Sequence, residues 1–533
     1  MRAAFGFFVP VAAAIVAFWW WLGTPVAMPP SPLGAGEKLP CVSYTPFRNL
    51  TAFGEGTPPA RPEQIDAELA ILARVTSCVR TYSIDLGVDQ VPEIARRHGM
   101  TVLLGVWLGR EPDKNRLEVD RAIALANRHA DVVKAVIVGN EVLLRGELSP
   151  ETLAGLIRDV KSKVPMPVTY ADVWEFWLRY RAIVDAVDFV TVHILPYWED
   201  IPIKPEDAAP HMDSVRKTIA DSFPGKDILI GELGWPGVGR MREGALPSQA
   251  NEARVLHDAI AAGKRGGYRI NVIEGFDQPW KRQSEGTVGG HWGLIAADGS
   301  AQKFVWGMPV SNYPAWRMHA AGGVAFAALI FAVALAAARR NPVPPGATAW
   351  GSVALIALAA GTLVGWTVRN VPLESLGVSG WTMSLALAAL AILTPLAGAA
   401  ALLRGIPTPR FAMLLGAEPW PASRLARVLG GLLLVLCVVA VAVALSLVFD
   451  PRYRDFPFAP LTTAVVPFLM LMWFAPVAPR GFSEIVAAGV LMASALFIAW
   501  NEGIANWQSL WLCAVFLALG LTLFAPGART QGS

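Results

Sequence analysis

From residue 313 to its end the chain contains no lysine, 12 arginines and only 6 acidic residues. Seven apolar runs fall in that stretch, near 318–338, 349–368, 380–403, 428–449, 458–478, 485–500 and 507–525. Most are long enough to cross ~30 Å of hydrocarbon, 485–500 being the shortest. Buried helices of a soluble domain would carry more charge on their outer faces, so the runs read as membrane spans. An eighth run, Ala3–Leu22, follows Arg2 and ends in Trp19-Trp20-Trp21, an aromatic belt suited to a membrane interface. Gly23-Thr24-Pro25-Val26-Ala27 makes a poor cleavage site, so a retained anchor is expected rather than a signal peptide.

The remainder is different. Residues 1–312 hold 33 Lys+Arg and 36 Asp+Glu, the balance of a slightly acidic soluble domain. The net charge of +3 therefore originates in the apolar half and gives no support to nucleic-acid binding. The expected organisation is an anchor and linker over 1–31, a soluble domain over 32–312 and a membrane domain over 313–533. If 32–312 faces outward, the inside segments carry Arg2, Arg339, Arg340, Arg404, Arg410, Arg424, Arg427, Arg480 and Arg529. The outside loops between helices carry only Arg369, Arg452 and Arg454. That asymmetry predicts both termini inside and the soluble domain outside.

Within the soluble part, short β-rich runs alternate with amphipathic stretches. The runs are Cys41–Tyr44, Cys78–Tyr82, Thr101–Trp107, Val133–Val138, Val168–Tyr170, Phe189–Leu195, Ile228–Ile230 and Tyr268–Ile273. Helical patterns between them include Arg61–Arg74, Val91–His98, Arg116–His129, Pro150–Lys163, Glu206–Ser222 and Ser248–Ala262. Strands alternating with helices argue for a parallel sheet. Eight such units predict an α/β fold, a (β/α)₈ TIM barrel, followed by an all-α polytopic membrane domain. No G-x-G-x-x-G follows the first strand, which removes the main rival, a doubly wound dinucleotide-binding sheet. With no C-x-x-C pair either, no cofactor and no metal are expected.

Chemistry in a barrel sits where strands end. Two of these strands end in glutamate: Ile137-Val138-Gly139-Asn140-Glu141 and Leu229-Ile230-Gly231-Glu232-Leu233-Gly234-Trp235-Pro236. Retaining cleavage of a glycosidic bond needs such a pair, one carboxylic acid to protonate the leaving oxygen and one carboxylate to attack the anomeric carbon. The bland alternative makes both glutamates ion-paired barrel residues, with Arg80 or Lys281 as partners.

The finer pattern resembles family 17 glycoside hydrolases, the β-1,3-glucanase family, and within it a bacterial membrane-associated branch. The matching stretches are Ser43-Tyr44-Thr45-Pro46-Phe47, Val79-Arg80-Thr81-Tyr82, Val138-Gly139-Asn140-Glu141-Val142-Leu143, His193-Ile194-Leu195-Pro196-Tyr197-Trp198, Gly231-Glu232-Leu233-Gly234-Trp235-Pro236 and Glu274-Gly275-Phe276-Asp277-Gln278-Pro279-Trp280-Lys281. The resemblance spans 39–311. It implies Glu141 as general acid/base, Glu232 as nucleophile and a β-glucan as substrate. The combination with apolar helices resembles membrane proteins of root-nodule bacteria assigned to cyclic β-(1,3),(1,6)-glucan synthesis as β-(1→6)-glucan synthases. That narrower likeness implies a multi-pass protein of the bacterial inner membrane, a periplasmic catalytic domain, and the lipid bilayer and a glucan synthase or export complex as partners.

Around the pair, Asn140 is expected to hydrogen-bond the sugar 2-hydroxyl. Tyr197 and Arg80 are candidates to hold Glu232 ionised, and His193 to tune Glu141. Tyr44, Trp107, Trp198, Trp235, Trp280, Glu274 and Lys281 complete the expected substrate-binding set, together with Trp292 in the same group of tryptophans. The tryptophans are included because aromatic faces stack on pyranose rings. Trp198 and Trp235 are the expected acceptor platform. Cys41 and Cys78 lie on adjacent strands. If Tyr44, Arg80 and Tyr82 point inward, alternation sends Cys78 in and Cys41 out, so free thiols are expected. A hydrolase and a transglycosylase share this equipment. A transporter would be expected to show charges in mid-helix, whereas Glu374, Glu418, Asp450, Asp455, Glu484 and Glu502 all fall near helix ends. A glucan-binding module without activity would have no need of both glutamates.

Overall fold

The computed structural model of the protein describes residues 2–341, 344–474 and 480–524. Arg529 and the ends of the runs 458–478 and 507–525 lie outside the described residues. The chain divides into two compact units. One comprises Val26–Gly239 and Gly244–Val310; the other holds the N-terminal segment to Pro25, Arg240–Glu243 and the chain from Ser311 onward.

The first unit is a closed barrel of eight parallel strands: β1 (Cys41–Ser43), β2 (Cys78–Arg80), β3 (Thr101–Val106), β4 (Val133–Asn140), β5 (Val168–Val173), β6 (Val190–His193), β7 (Ile228–Leu233) and β8 (Arg269–Val272). Each β-rich run of the sequence becomes a strand, and β8 pairs with β1 to close the ring. Between the strands lie the expected helices, for example Pro62–Leu72, Pro112–Arg128, Pro150–Lys161 and Gln249–Gly266. Ser149 and Ser248 cap the last two by accepting from the amides of Thr152 and Asn251, which satisfies otherwise orphaned helix donors. A large apolar core lies between sheet and helices, with Val42, Val79, Val102, Val136, Val190 and Ile230 among its fully buried members. A separate cluster of Cys41, Cys78, Leu103, Ala135, Ile137, Ala171, Phe189 and Leu229 fills the barrel interior.

Side-chain alternation is broken where function is expected. Register shifts interrupt β4/β5 between Ile137 and Asn140, β6/β7 between Val192 and His193, and β7/β8 between Ile230 and Leu233. Irregularities of this kind re-aim the side chains beyond them. They lie immediately before Asn140, His193 and Glu232.

The structure overturns the expectation for the cysteines. Cys41 and Cys78 form a disulfide with Cα atoms 4.4 Å apart. The inference of free thiols rested on Tyr44 pointing inward. Tyr44 instead points out of the barrel, donating from its hydroxyl to Glu68 on helix Pro62–Leu72. Ser43 therefore faces in, and so does Cys41, two residues earlier, opposite Cys78 across the β1/β2 register.

The second unit is helical. Its long helices are Arg2–Gly23, Trp316–Ala338, Ala347–Glu374, Gly377–Leu403, Arg424–Phe449, Phe458–Phe474, Phe482–Glu502 and Trp507–Phe524. Among the described residues seven helices are long and apolar enough to cross a membrane, and Phe458–Trp473 is apolar but shorter. The run expected to be shortest, 485–500, extends to 21 residues. Gly323 and Gly361 let two of these helices meet backbone to backbone. A Cβ on Gly323 would lie 2.1 Å from the Gly361 carbonyl oxygen and 2.9 Å from Ile15 of the N-terminal helix. Ile15 and Trp19 are fully buried in this packing.

The disulfide closes a sequence separation of 37 residues, for which chain entropy alone gives a stabilisation of about 4 kcal/mol. Cys41→Ser is expected to lower the free energy of unfolding by about 2–4 kcal/mol. Thiol titration of the denatured, unreduced protein should count two thiols, Cys437 and Cys513, with four after reduction. Four thiols before reduction would refute the pairing.

Candidate active site

The site is built from the C-terminal ends of β2, β4, β6 and β7. Arg80, only 1% exposed, is its centre. Its Nη1 donates to Glu232 Oε1 at 3.0 Å and to the Gly231 carbonyl at 2.7 Å. Its Nη2 donates to Asn140 Oδ1 at 2.5 Å and lies 3.3 Å from His193 Nε2. A guanidinium has no lone pair to offer, so His193 Nε2 must be the acceptor in that contact. The imidazole proton is thereby assigned to Nδ1, which donates to Glu141 Oε1 at 2.9 Å. One cation thus pairs with Glu232, orients Asn140 and sets the tautomer of His193.

Glu232 is nearly buried. Besides Arg80 it is held by the Tyr82 hydroxyl, 2.8 Å from Oε1. That hydroxyl is also 2.9 Å from Ser43 Oγ, and Asn271 Nδ2 lies 2.8 Å behind Ser43. A carboxylate only accepts, so the protons run from Asn271 to Ser43, to Tyr82, to Glu232. Burial and the Glu232 charge push the Tyr82 phenol well above its ordinary value, so it stays a donor. Gly231 is required here, because a Cβ on it would meet Thr191 Cγ2 at 2.4 Å and the His193 ring at 3.2 Å.

Glu141 sits just past β4 with φ 53°, in the left-handed region that a glutamate rarely occupies. Such a conformation costs about 1–3 kcal/mol and persists only where surrounding contacts enforce it. Here β5 enforces it. The Glu141 amide donates to the Ala171 carbonyl at 2.8 Å, the Leu143 amide to the Tyr170 hydroxyl at 3.0 Å and the Leu144 amide to Asp172 Oδ2 at 3.3 Å. Burial alone would raise the Glu141 carboxyl. The His193 hydrogen bond, with the charges of Arg145 and Arg80 nearby, outweighs it and holds the group below the usual range.

One oxygen of Glu141, one of Glu232 and a His193 nitrogen all lie within 4.8 Å of one another. That cluster has the dimensions of a metal site. Arg80, however, already places a positive charge 3.0 Å from Glu232 and 3.3 Å from His193, so a second cation would be repelled at close range. Carboxylate oxygens within 4.8 Å of each other lie nearer the ~5–5.5 Å spacing of a retaining glycosidase than the ~6.5–9.5 Å of an inverting one.

The other expected residues divide. Trp107 stands at the mouth with 43% of its surface exposed. Trp198 is half-buried and stacks on Trp292 with ring centres 6.4 Å apart. Trp280 is half-buried, facing Phe53 at 4.8 Å, and Lys281 pairs with Glu274 at 2.8 Å. Tyr197 is fully buried among Trp198, Trp235 and Trp292. Three expectations fail. Tyr44 is outside the barrel, as described above. Trp235 is fully buried and spends its indole N–H on the Leu246 carbonyl, so it is core and not an acceptor platform. Glu274 is completely enclosed and therefore supports Lys281 rather than offering an oxygen to sugar; burial raises it to about 7. Trp292, only 3% exposed, is likewise mostly core.

Sequence reasoning missed Tyr82 as the donor to Glu232, although it lies in the Val79-Arg80-Thr81-Tyr82 stretch, two residues beyond Arg80. It also missed Tyr170, Asp172 and Arg145, which hold the Glu141 turn. Burial, opposed by the Tyr170 hydrogen bond, places Asp172 at about 6.

This constellation on this barrel defines a glycosidase or transglycosylase. The family profile described as BtgE/BtgC glycoside hydrolase domain matches residues 41–293. A glucan 1,3-beta-glucosidase of Arthroderma benhamiae is 30% identical over 237 residues, covering 41% of this chain and 77% of that protein. A glucan 1,3-beta-glucosidase of Saccharomyces cerevisiae is 26% identical over 257 residues, 44% of this chain and 81% of that one. A solved β-1,3-glucanosyltransferase of Rhizomucor miehei, an active-site mutant with laminaritriose, is 27% identical and covers 50% of this chain and 95% of its own, with a TM-score of 0.44. The protein belongs to this family of glycoside hydrolases.

Because His193 donates to Glu141, His193→Ala should raise the Glu141 pKa and move the basic limb of the kcat/KM profile to higher pH. A basic limb that stays in place would remove His193 as the tuning group.

Proposed function

We propose that the barrel cleaves β-1,3-glucosidic bonds with retention and passes the glycosyl unit to another glucan. The observation that carries this reading is the carboxylate pair within 4.8 Å, one member ion-paired and the other hydrogen-bonded to histidine. In the first step Glu141, once it has taken up a proton against the pull of His193, gives it to the leaving oxygen while Glu232 attacks C1, forming a glycosyl ester. In the second, Glu141 takes a proton from the incoming hydroxyl as that oxygen displaces Glu232. Asn140, oriented by Arg80, is placed to hydrogen-bond the 2-hydroxyl. The substrate class is supported by the relatives, whose names are those of β-1,3-glucan enzymes. Transfer, with β-1,6 linkages among the products, rests on the same pair together with a membrane-held site beside nascent chains, where acceptor ends are concentrated. Simple endo-hydrolysis is the competing outcome.

The second unit is read as a membrane domain, with the barrel in the periplasm of a bacterial inner membrane. The apolar helices, the buried packing of the N-terminal helix and the arginine asymmetry support this. The likeness to glucan synthases of cyclic β-glucan synthesis, and a synthase or export complex as partner, belong to the same reading.

Glu232→Ala should abolish turnover on laminari-oligosaccharides, and azide should restore part of it as a glycosyl azide of inverted configuration. Glu141→Ala should spare substrates with good leaving groups, which need no proton. Equal losses on activated and natural substrates would argue against the acid role. Mass spectrometry and linkage analysis of a laminari-oligosaccharide time course should show products longer than the donor; only shorter sugars would leave a membrane-held glucanase. A periplasm-dependent reporter fused after residue 533 should be silent, and activity there would reverse the topology.

A further inference from the structure

The most exposed tryptophan near the site has an unusual mount. Trp107 follows β3, and the Arg145 guanidinium carbon lies 4.3 Å from its ring centre, covering one face. Arg145 is itself fully engaged. Its Nη1 donates to the Asn140 carbonyl, its Nη2 to the Leu108 carbonyl at 2.9 Å, and Nε and Nη2 to Glu147 Oε2 at 2.9 and 2.7 Å. Its amide donates to the Glu141 carbonyl at 2.9 Å. The Trp107 backbone amide donates to Glu118 Oε1 at 3.3 Å. The indole is therefore braced on one face by Arg145, and Trp107 as a whole remains 43% exposed. A rigid, open aromatic face loses little entropy on binding and matches the apolar face of a pyranose ring.

Its position selects the sugar. Trp107 and Arg145 belong to β3 and the turn after β4, next to Glu141 and on the opposite side of the barrel from β7, which carries Glu232. In the retaining reading, on which this inference rests, the acid/base group stands over the leaving oxygen and later over the acceptor hydroxyl. We propose that Trp107, braced by Arg145, is the platform for the leaving glucosyl residue and for the glucosyl acceptor that replaces it. With an acceptor seated there, its hydroxyl oxygen bonds to C1, the C1–O bond to Glu232 breaks, and the hydroxyl proton passes to Glu141. Arg145 links the platform to the same turn that aims Glu141, so sugar and proton acceptor are positioned by one element.

The test compares full-length wild type, Trp107→Ala and Trp107→Phe on laminari-oligosaccharides and on an aryl laminarioside of equal donor length. Products are read by mass spectrometry, with added laminaribiose as acceptor. In Trp107→Ala, kcat/KM on the oligosaccharide should fall about tenfold more than on the aryl glycoside, and the acceptor concentration for half-maximal transfer should rise about tenfold. Trp107→Phe, which keeps an aromatic face, should recover part of both. Equal losses on the two substrates, with unchanged acceptor dependence, would overturn the platform while leaving the retaining reading intact. Wild type inactive on both substrates would overturn that reading and the platform with it. A Trp107→Ala protein that fails to fold leaves Trp107→Phe to decide: a full match to wild type in both ratios with Arg145→Gln also unchanged would count against the brace and the platform.

Discussion

A single buried guanidinium organises the mouth of the barrel. Removing Arg80 from water costs several kcal/mol, and its Nε finds no partner among the described residues. The cost is offset by Glu232, the Gly231 carbonyl, Asn140 and the His193 nitrogen, with the Tyr82 ring 4.6 Å away. These groups come from β2, β4, β6 and β7 or the residues just beyond them. Four strands are therefore tied electrostatically at the same level. Neutralising Arg80 would leave Glu232 buried beside a histidine and a phenol without its ion-pair partner. Arg80 is thus the contact shared by the groups to which the proposed chemistry is assigned.

Much of this was legible in the sequence because it depends on period and position. Eight β-rich runs at regular spacing gave the barrel, and glutamates at two strand ends marked its reactive face. What was not legible depends on side-chain parity. Tyr44 faces outward rather than inward, and that one inversion reverses Cys41 and conceals the disulfide from the alternation pattern. Strand irregularities have the same effect, since the odd spacing between inward-facing Ile137 and Asn140 cannot be read from alternation. Trp235 follows the Glu232 strand as a cleft tryptophan would, yet it turns into the cluster of Tyr197, Ala208 and Trp292. Asp172 and Tyr170 look like ordinary strand residues. Their importance lies in the loop of a neighbouring strand, a relation that one-dimensional patterns do not encode.

The helical unit shows the opposite balance. Its apolar helices were legible to within about six residues at each described end, because long runs with almost no charge leave few alternatives. Its carboxylates sit where the sequence put them: Glu374 and Glu502 end helices, Glu484 lies in a first turn, and Asp450 follows a helix end. Glu484 caps a neighbouring segment by accepting from the Phe411 amide, and Asn370 donates to Glu374. These are structural assignments for polar groups at helix ends. They leave the catalytic chemistry to the barrel.

The strained backbone at Glu141 connects the two halves of the catalytic cycle. A left-handed glutamate is kept because Ala171, Tyr170 and Asp172 of β5 grip the turn from one side and Arg145 from within it. In the proposed mechanism the same carboxylate donates a proton to one oxygen and later accepts one from another at nearly the same point in space. Any drift of the turn between the steps would favour water, which needs no orientation, over a sugar hydroxyl, which does. Well-oriented groups reach effective molarities of about 10⁵–10⁸ M, but only within a narrow tolerance of position. On the proposed reading, a turn fixed by backbone hydrogen bonds, with the exposed Trp107 attached through Arg145, gives the larger and more demanding acceptor its best advantage over water.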